Sequence, residues 1–292
     1  MYVRGLLITI MGVVFVVPDA LFVRLIEAPP LVVSFWRGAV IGLFLSVFLL
    51  FTQGVAPFRQ VIGAGWAAVG YMVAVGVSGT LFTLSVRLTS VANVLFIIAT
   101  MPVFAALFSR FLLGEALSRR MVITIGGVAA GLGFIAFGSS QSSAQGWWVG
   151  DMLALVVSAV FAAGLTMVRK VRAVSMVPAL PMAHLGSCVL LVSFIDPFVV
   201  PLSQLWLVLA HGGCLALSAV GLTLGPRYIS AVEVALLMLL EAVLAPLLVW
   251  WVIGEQPGPW ALLGGAIVIG VMGLSNLVAL RALRRGGAAR LL

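Results

Sequence analysis

The sequence predicts an all-α membrane protein in which ten transmembrane helices form two inverted five-helix repeats. Three observations predict this fold. The composition is typical of a protein surrounded by lipid, two apolar runs end in the same Gly-Glu pair about 140 residues apart, and the basic residues gather at alternate loops. The first observation indicates a lipid environment, the second an internal repeat, and the third the orientation of the chain in the membrane.

The composition indicates that the chain is embedded in a membrane. Of its 292 residues, 63% are hydrophobic and only 8% are charged. A water-soluble domain has no interior large enough for such an apolar fraction, so we expect most helices to face lipid. Because a crossing takes about 20 residues, the chain has material for about ten helices and for no separate soluble domain.

Windowed hydropathy places ten apolar spans along the chain, separated by short connections with turn residues such as Gly225-Pro226. The predicted spans are 3–26, 30–51, 61–84, 90–113, 119–138, 149–170, 177–196, 203–224, 230–253 and 259–282.

The longest connection is polar and divides the chain into two halves. It begins at Ser139, so we predict a first five-helix repeat over 1–138, a linker over 139–148 and a second repeat over 149–292. The two repeats are expected to form one transport domain.

The two halves share a motif. Gly114-Glu115 ends the fourth span and Gly254-Glu255 ends the ninth, and a glycine-rich span follows each pair. Five spans per copy is an odd number, so the second copy is predicted to cross the membrane in the opposite direction to the first. Inverted repeats of this kind are common in secondary transporters.

The basic residues predict the orientation. If the amino terminus is cytoplasmic, thirteen basic residues lie at inner ends and two at outer ends, with Arg37 inside a span. This asymmetry predicts that both termini are cytoplasmic in a multi-pass protein of the bacterial inner membrane. It also accounts for the net charge of +8, because basic residues face the anionic inner leaflet, and a nucleic-acid partner is not expected. The inner residues are Arg4, Arg59, Arg110, Arg119, Arg120, Arg169, Lys170, Arg172, Arg227, Arg281, Arg284, Arg285 and Arg290, and the outer residues are Arg24 and Arg87.

This pattern resembles the EamA-type members of the drug/metabolite transporter superfamily. The most specific elements are the runs from Pro102 to Gly114-Glu115 and from Pro246 to Gly254-Glu255. Overall similarity is greatest to the amino-acid exporter branch, which includes exporters of aromatic amino acids. The resemblance implies a central cavity lined by both halves, with spans 5 and 10 as a packing scaffold. We expect a monomer or weak dimer and no cofactor.

The arginine-bearing second span also resembles the family, but the second half departs from the pattern. The tract Trp36-Arg37-Gly38 corresponds to His184-Leu185-Gly186, so the second half has no intramembrane arginine. The scaffold is therefore predicted to be symmetric and its chemistry asymmetric.

Asp19 and Arg37 are the first candidates for a functional site. Each lies about seven residues from the outer end of its span, so both are roughly 10 Å deep at 1.5 Å per residue and can form a pair. The pair is either a fixed structural joint or a group that binds the charged ends of an amino acid. Pro18 beside it removes a helix hydrogen bond and can open the first span locally.

Glu241 is the second candidate, near the middle of the ninth span. It is a ligand for a substrate ammonium group, a proton carrier, or a protonated group bonded to a neighbouring helix. Its counterpart in the first half is Met101, so this chemistry belongs to one half. The predicted substrate-pathway residues are Asp19, Arg37, Tyr71, Phe82, Asn93, His211, Met238 and Glu241.

Other polar residues have simpler readings. Asn93 is either cavity-facing or an interhelix hydrogen bond, and His184 and His211 are most simply explained as hydrogen-bonded between helices. No ligand spacing predicts a metal site. Pro18, Pro102 and Pro246 are predicted to kink their helices and act as gates.

The sequence therefore predicts a secondary transporter that exports small metabolites, most simply aromatic or other hydrophobic amino acids, by alternating access within membrane lipid. A flippase for lipids or lipid-linked substrates is the alternative, and a lateral opening between spans would favour it. An intramembrane enzyme is disfavoured because the chain has no Gly-x-Ser-x-Gly or His-Glu-x-x-His motif, and no Walker-type motif predicts ATP hydrolysis.

Overall fold

A computed structural model of the protein describes residues 2–114, 116–141, 147–168, 174–224, 228–229 and 231–288. In these ranges every secondary-structure element is a helix, and turns and short loops connect the helices. The helices are α1 (Tyr2–Val16), α2 (Asp19–Leu25), α3 (Pro30–Gln53), α4 (Ala56–Gly63), α5 (Trp66–Leu88), α6 (Val91–Ile98), α7 (Met101–Leu113), α8 (Arg119–Ser140), α9 (Trp147–Val168), α10 (Ala179–Leu191), α11 (Leu205–Leu224), α12 (Ala231–Ile253) and α13 (Pro259–Ala288). Glu115, Arg169, Lys170, Arg172, Arg227 and Arg290 lie outside the described residues.

Nine helical segments in the described part of the chain are long and apolar enough to cross a membrane. They match nine of the ten predicted spans, with α1 and α2 together forming the first and α6 and α7 together the fourth. The prediction of an all-helical membrane protein is confirmed. The count of ten crossings and the orientation of the termini stay predictions.

The seventh span is shorter than predicted. The prediction covers 177–196, whereas α10 has 13 residues and ends at Leu191, about 20 Å of helix against a hydrocarbon core of about 30 Å. At the end of the predicted span, the Asp196-Pro197 pair opposes a helix because proline disfavours helical backbone in the residue before it. The Asp196 carboxylate instead accepts a hydrogen bond from Phe198 N at 3.0 Å and starts a short 3₁₀ turn.

Pro18 and Pro102 interrupt their spans, and Pro246 does not. Pro18 lies in the break between α1 and α2, and Pro102 lies in the first turn of α7, just after α6 has ended. The ninth span is one continuous helix through Pro246. The two proline-bearing spans that the repeat relates therefore differ in backbone structure.

The repeated glycines have the same backbone role. Gly114 follows α7 with φ of 70°, and Gly254 follows α12 with φ of 74°. Left-handed backbone at a helix end costs glycine little because it has no Cβ. The shared motif thus ends the fourth and ninth spans in the same way.

Eight of the predicted spans pack in a ring that alternates between the halves. The α1–α2 segment packs against α11, α11 against α3, α3 against α10, α10 against α5, α5 against α9, α9 against the α6–α7 segment, α6 against α12, and α12 against α1 and α2. The helices α8 and α13 pack against each other outside this ring. Exchanging the halves maps these packing pairs onto one another, which agrees with the predicted repeat.

One end of the ring is filled by the largest hydrophobic cluster. It takes Val23 from α2, Val86 from α5, Val94 from α6, Val208 from α11 and Ala245 from α12, all at most 2% exposed. Arg24, Arg87 and Glu255 lie at this same end, which we call the outer end after the predicted orientation. The cluster packs both halves together and closes the ring there.

The contact between spans 5 and 10 depends on some of their glycines and not on others. A Cβ on Gly131 would lie 2.8 Å from the Gly264 carbonyl oxygen, so the backbones of α8 and α13 meet there, and Gly127 lies against Val271. Gly133 and Gly270 have open space around them. The close approach is therefore centred on Gly131 and Gly264.

Gly131→Ala is expected to lower the free energy of unfolding by about 1–3 kcal/mol, because a carbonyl oxygen has to move away from the new methyl group. The matched control is Gly133→Ala on the same helix, which meets no neighbour and should leave stability unchanged or slightly raise it. Thermal unfolding in detergent measures both. Equal losses in the two variants would contradict this packing.

Candidate functional site

Asp19 and Arg37 form a buried bidentate ion pair. Arg37 Nη2 donates to Asp19 Oδ2 at 2.8 Å, and Arg37 Nε donates to Oδ1 at 3.2 Å. Their side chains are 6% and 13% exposed. The helix break at Pro18 makes Asp19 the first residue of α2, where the helix dipole favours a carboxylate. Pairs of this geometry are among the strongest hydrogen-bonded contacts in proteins.

His211 of the second half completes the cluster. Its Nε2 lies 2.7 Å from Asp19 Oδ1 and donates to it, since an ionised carboxylate only accepts hydrogen bonds. The imidazole is 1% exposed and stacks on Phe22 with ring centroids 5.4 Å apart. We call Asp19, Arg37 and His211 the central cluster. It joins α2 and α3 of the first half to α11 of the second.

The guanidinium of Arg37 rests against α5. Its Cζ lies 5.5 Å from the centre of the Phe82 ring, within the range of a cation–π contact. A Cβ on Gly79 would lie 3.0 Å from Nη1, so glycine there gives the guanidinium room. The sequence predicted Phe82 but not Gly79, because a glycine in a membrane helix carries no signal of what approaches it.

Two further ionisable residues lie within electrostatic range of the cluster. Glu241 of α12 interacts with the charges of Asp19 and Arg37, and so does His184 of α10. Glu241 is half-buried and has no hydrogen bond or ion pair to any residue that the structure describes. The site therefore holds one carboxylate that accepts three hydrogen bonds and one carboxyl group without a partner among the described residues.

The remaining predicted pathway residues lie elsewhere. Tyr71 packs with Val75 and Met176 in a separate hydrophobic cluster towards the inner end. Asn93 lies near the outer end. Met238 is half-buried, one turn before Glu241 on α12.

Asn93 forms an interhelix hydrogen bond, one of its two predicted roles, in a polar network whose other members the sequence did not indicate. Its Nδ2 donates to Ser139 Oγ at 2.7 Å, and Ser139 in turn donates to Asp151 Oδ2 at 2.6 Å. Thr89 donates to the other oxygen of Asp151 at 2.7 Å. Asp151 is 4% exposed, and this network links the outer ends of α5, α6, α8 and α9. No spacing in the sequence connects these residues, which meet only in the fold.

The outer end is also tied by charge. Arg24 Nε lies 3.1 Å from Glu255 Oε2, while Glu255 Oε1 accepts from Val91 N at 2.7 Å. Arg24 also donates to the carbonyl oxygen of Thr89 at 2.9 Å. Glu255 thus ties the end of α12 both to α2 and to the start of α6, where a carboxylate is favoured by the helix dipole. These bonds cross between the two halves over the packed outer core.

An apolar groove opens sideways between α5 and α10. It has a volume of about 640 Å³, and several of its walls are exposed aliphatic side chains, including Val73 at 58% and Leu190 at 69%. Gly76, Thr80 and Ser187 also line the groove. A groove with such walls is suited to hydrocarbon.

Among the residues that the structure describes, no group of three or more His, Cys, Asp or Glu side chains could hold a metal ion. Cys188 and Cys214 are free thiols. The side chains of the central cluster can pair charges, form hydrogen bonds and exchange protons.

The first half of the chain is similar to a known protein family. No curated protein sequence matches the chain. A solved structure titled only "Crystal structure of protein" aligns with 97% of this chain and 99% of its own, with a TM-score of 0.65 and 18% sequence identity. At that identity the likeness concerns the fold alone. Residues 3–137 match the model of the EamA-like transporter family, whose members are membrane transporters of small molecules. This match lies over the first five predicted spans, so the first half of the chain is similar to the EamA-like transporter family.

Proposed function

We propose that the protein is a secondary transporter that exports amino acids, aromatic or otherwise hydrophobic, by alternating access across the bacterial inner membrane. The observation that carries the proposal is the buried central cluster, which bonds the two halves through Asp19 and His211 beside the free carboxyl of Glu241. In this proposal ten crossings form two inverted repeats with both termini inside. The match to the transporter family over 3–137 supports it.

The outer closure supports alternating access. Hydrophobic packing and the Arg24–Glu255 pair join the halves at the outer end, so this arrangement separates the central cluster from the outer side. Export then requires these contacts to separate while contacts at the inner end form. The Arg24–Glu255 side chains are each 23% exposed, so their pairing is weak enough to be reversible.

Glu241 is proposed as the group that changes partner during transport. The Asp19 carboxylate already accepts three hydrogen bonds, so we assign the acceptor for a substrate ammonium group or a proton to Glu241. Asp19 and Arg37 hold the helices around it. In this proposal the Asp19–Arg37 pair has a structural role, and Glu241 binds and releases the substrate or the proton.

The test is uptake of a panel of labelled amino acids into proteoliposomes, with and without a pH gradient. We expect transport of aromatic or aliphatic amino acids, and we expect Glu241→Gln to lose about tenfold or more of it, since the neutral amide gives up a charge-assisted contact. If Glu241→Gln responds to the pH gradient as the wild type does, Glu241 is not the proton carrier. If no amino acid is transported, the proposed substrate class is wrong.

Arg37→Met should destabilise the protein by roughly 3–5 kcal/mol, because it leaves a buried carboxylate without its cation. Adding Asp19→Asn to Arg37→Met should recover part of that loss, because the uncompensated charge is then gone. Thermal unfolding in detergent of the wild type, both single variants and the double variant gives the coupling. A double variant no more stable than Arg37→Met would refute the paired-charge account.

Glu255→Gln is expected to raise the population of the open outer end about fivefold. A partly exposed ion pair contributes about 1 kcal/mol to the closed state, and the substitution removes it. The measurement is external maleimide labelling of a thiol introduced by Ile26→Cys, in a chain whose Cys188 and Cys214 are replaced by serine; Ile26 is 1% exposed. Glu27→Gln, the neighbouring exposed acid, is the control. Equal labelling in both variants would show that the pair does not hold the closure.

The lateral groove favours a second candidate, a flippase for lipids or lipid-linked substrates. Its exposed aliphatic walls between α5 and α10 face the expected hydrocarbon, and Thr80 and Ser187 could receive a polar group that enters from the side. The same proteoliposomes, loaded with fluorescent phospholipid and assayed by external dithionite quenching, distinguish the candidates. Accelerated lipid exchange without amino-acid uptake would favour the flippase.

A further inference from the structure

We propose that a cavity at the outer end is a second binding site for the exported amino acid, separate from the central cluster. We call it the outer cavity; Arg87, Asn93, Ser139, Trp147, Glu255 and Trp260 contribute to its lining, and its volume is about 720 Å³. That volume lies within the range of small-molecule sites. The inference rests on the proposed function, since it takes its ligand to be the transported amino acid.

Two polar atoms at the outer cavity have neither a hydrogen bond nor an ion-pair partner among the residues that the structure describes. One is Nε of Arg87, a donor, and the other is Oδ1 of Asn93, an acceptor. Both atoms are buried, and Asn93 is only 6% exposed. Buried polar groups are nearly always bonded, because an unmade hydrogen bond is costly. An α-amino acid carries both missing partners, a carboxylate for Arg87 and an ammonium group for Asn93.

The charges at the cavity select the same ligand. Arg24 is paired with Glu255, whereas Arg87 donates only to the backbone carbonyl oxygens of Ile26 and Ala28. Arg87 therefore has no acidic partner among the described residues and can receive a carboxylate. Arginine suits this because its planar guanidinium matches carboxylate geometry.

The aromatic walls fit an apolar side chain. Trp260 lines the cavity and is held by a stacked Phe134 at 6.1 Å between ring centroids and an edge-on Phe137 at 5.0 Å. Trp147 lines it from α9. Fixed tryptophan rings supply a large apolar surface, and they contact aromatic ligands favourably by offset or edge-to-face packing. The ligand class is therefore a zwitterionic amino acid with an aromatic or large aliphatic side chain.

The site would hold the amino acid at the face where export releases it. Its polar network of Asn93, Ser139 and Asp151 joins the outer ends of α6, α8 and α9, and Glu255 ties α12 to the same place. A bound amino acid adds further bonds between these elements. External amino acid therefore stabilises the closed outer end and so slows its own export.

The experiment counts binding sites on the full chain in detergent, with tritiated L-phenylalanine in equilibrium dialysis. The wild type should bind two equivalents, and both Asn93→Leu and Trp260→Ala should bind one. Trp251→Ala, at an 84% exposed position outside the cavity, is the matched control and should keep two. Trp260→Ala leaves the hydrogen-bonded network intact, so it tests the site even if Asn93→Leu fails to fold.

Competition defines the ligand chemistry. Unlabelled 3-phenylpropionate, which has the carboxylate but no ammonium group, should displace phenylalanine from the outer cavity at least about tenfold better than phenethylamine, which lacks the carboxylate. A merely structural role for Arg87 would leave the two competitors equal, and that result would overturn the inference.

The stoichiometry separates this inference from the proposed function. One equivalent in the wild type, unchanged in Asn93→Leu and Trp260→Ala, would overturn the outer site and leave the export proposal standing. No bound phenylalanine, with no competition by any amino acid of the panel, would overturn both.

Discussion

The buried carboxylate of Asp19 is the constraint on which the arrangement of the central helices depends. A charge removed from water among apolar helices is costly unless every lone pair finds a donor. The donors come from different helices, Arg37 on α3 and His211 on α11, so satisfying one carboxylate fixes three helices. The Arg37 guanidinium in turn needs the space at Gly79 and the ring of Phe82, which fixes α5 as well.

The ring packs in symmetry-related pairs, but its polar groups do not follow that symmetry. Arg37 corresponds to Leu185 and Glu241 to Met101, so the charges meet near the middle of the ring from unequal positions. The backbone is unequal too, since the fourth span breaks before Pro102 and the ninth continues through Pro246. Helix packing requires only similar shapes, so the scaffold can repeat while each half carries different chemistry.

Local features of the structure were predictable, and partnerships were less so. The helix ends at Gly114 and Gly254 follow from glycine at the end of an apolar run, and the break at Pro18 follows from a missing donor. The early end of α10 was not predicted, because a hydropathy window averages over the Asp196-Pro197 signal. Asn93 was placed correctly in the fourth span, but its partnership with Ser139 and Asp151 joins three helices that no local pattern connects.

By itself the sequence determined that the protein lies in lipid, where nine of its spans lie along the chain, and that the fourth and ninth spans end alike. Hydropathy and backbone preference decide these features because they act over neighbouring residues. Only the tertiary structure decided which charges meet. Asp19 and His211 are 192 residues apart, and their contact depends on how far α2 and α11 are rotated and shifted against each other. Packing across the whole ring sets that rotation, so the central cluster and the outer cavity exist only once all the helices are assembled.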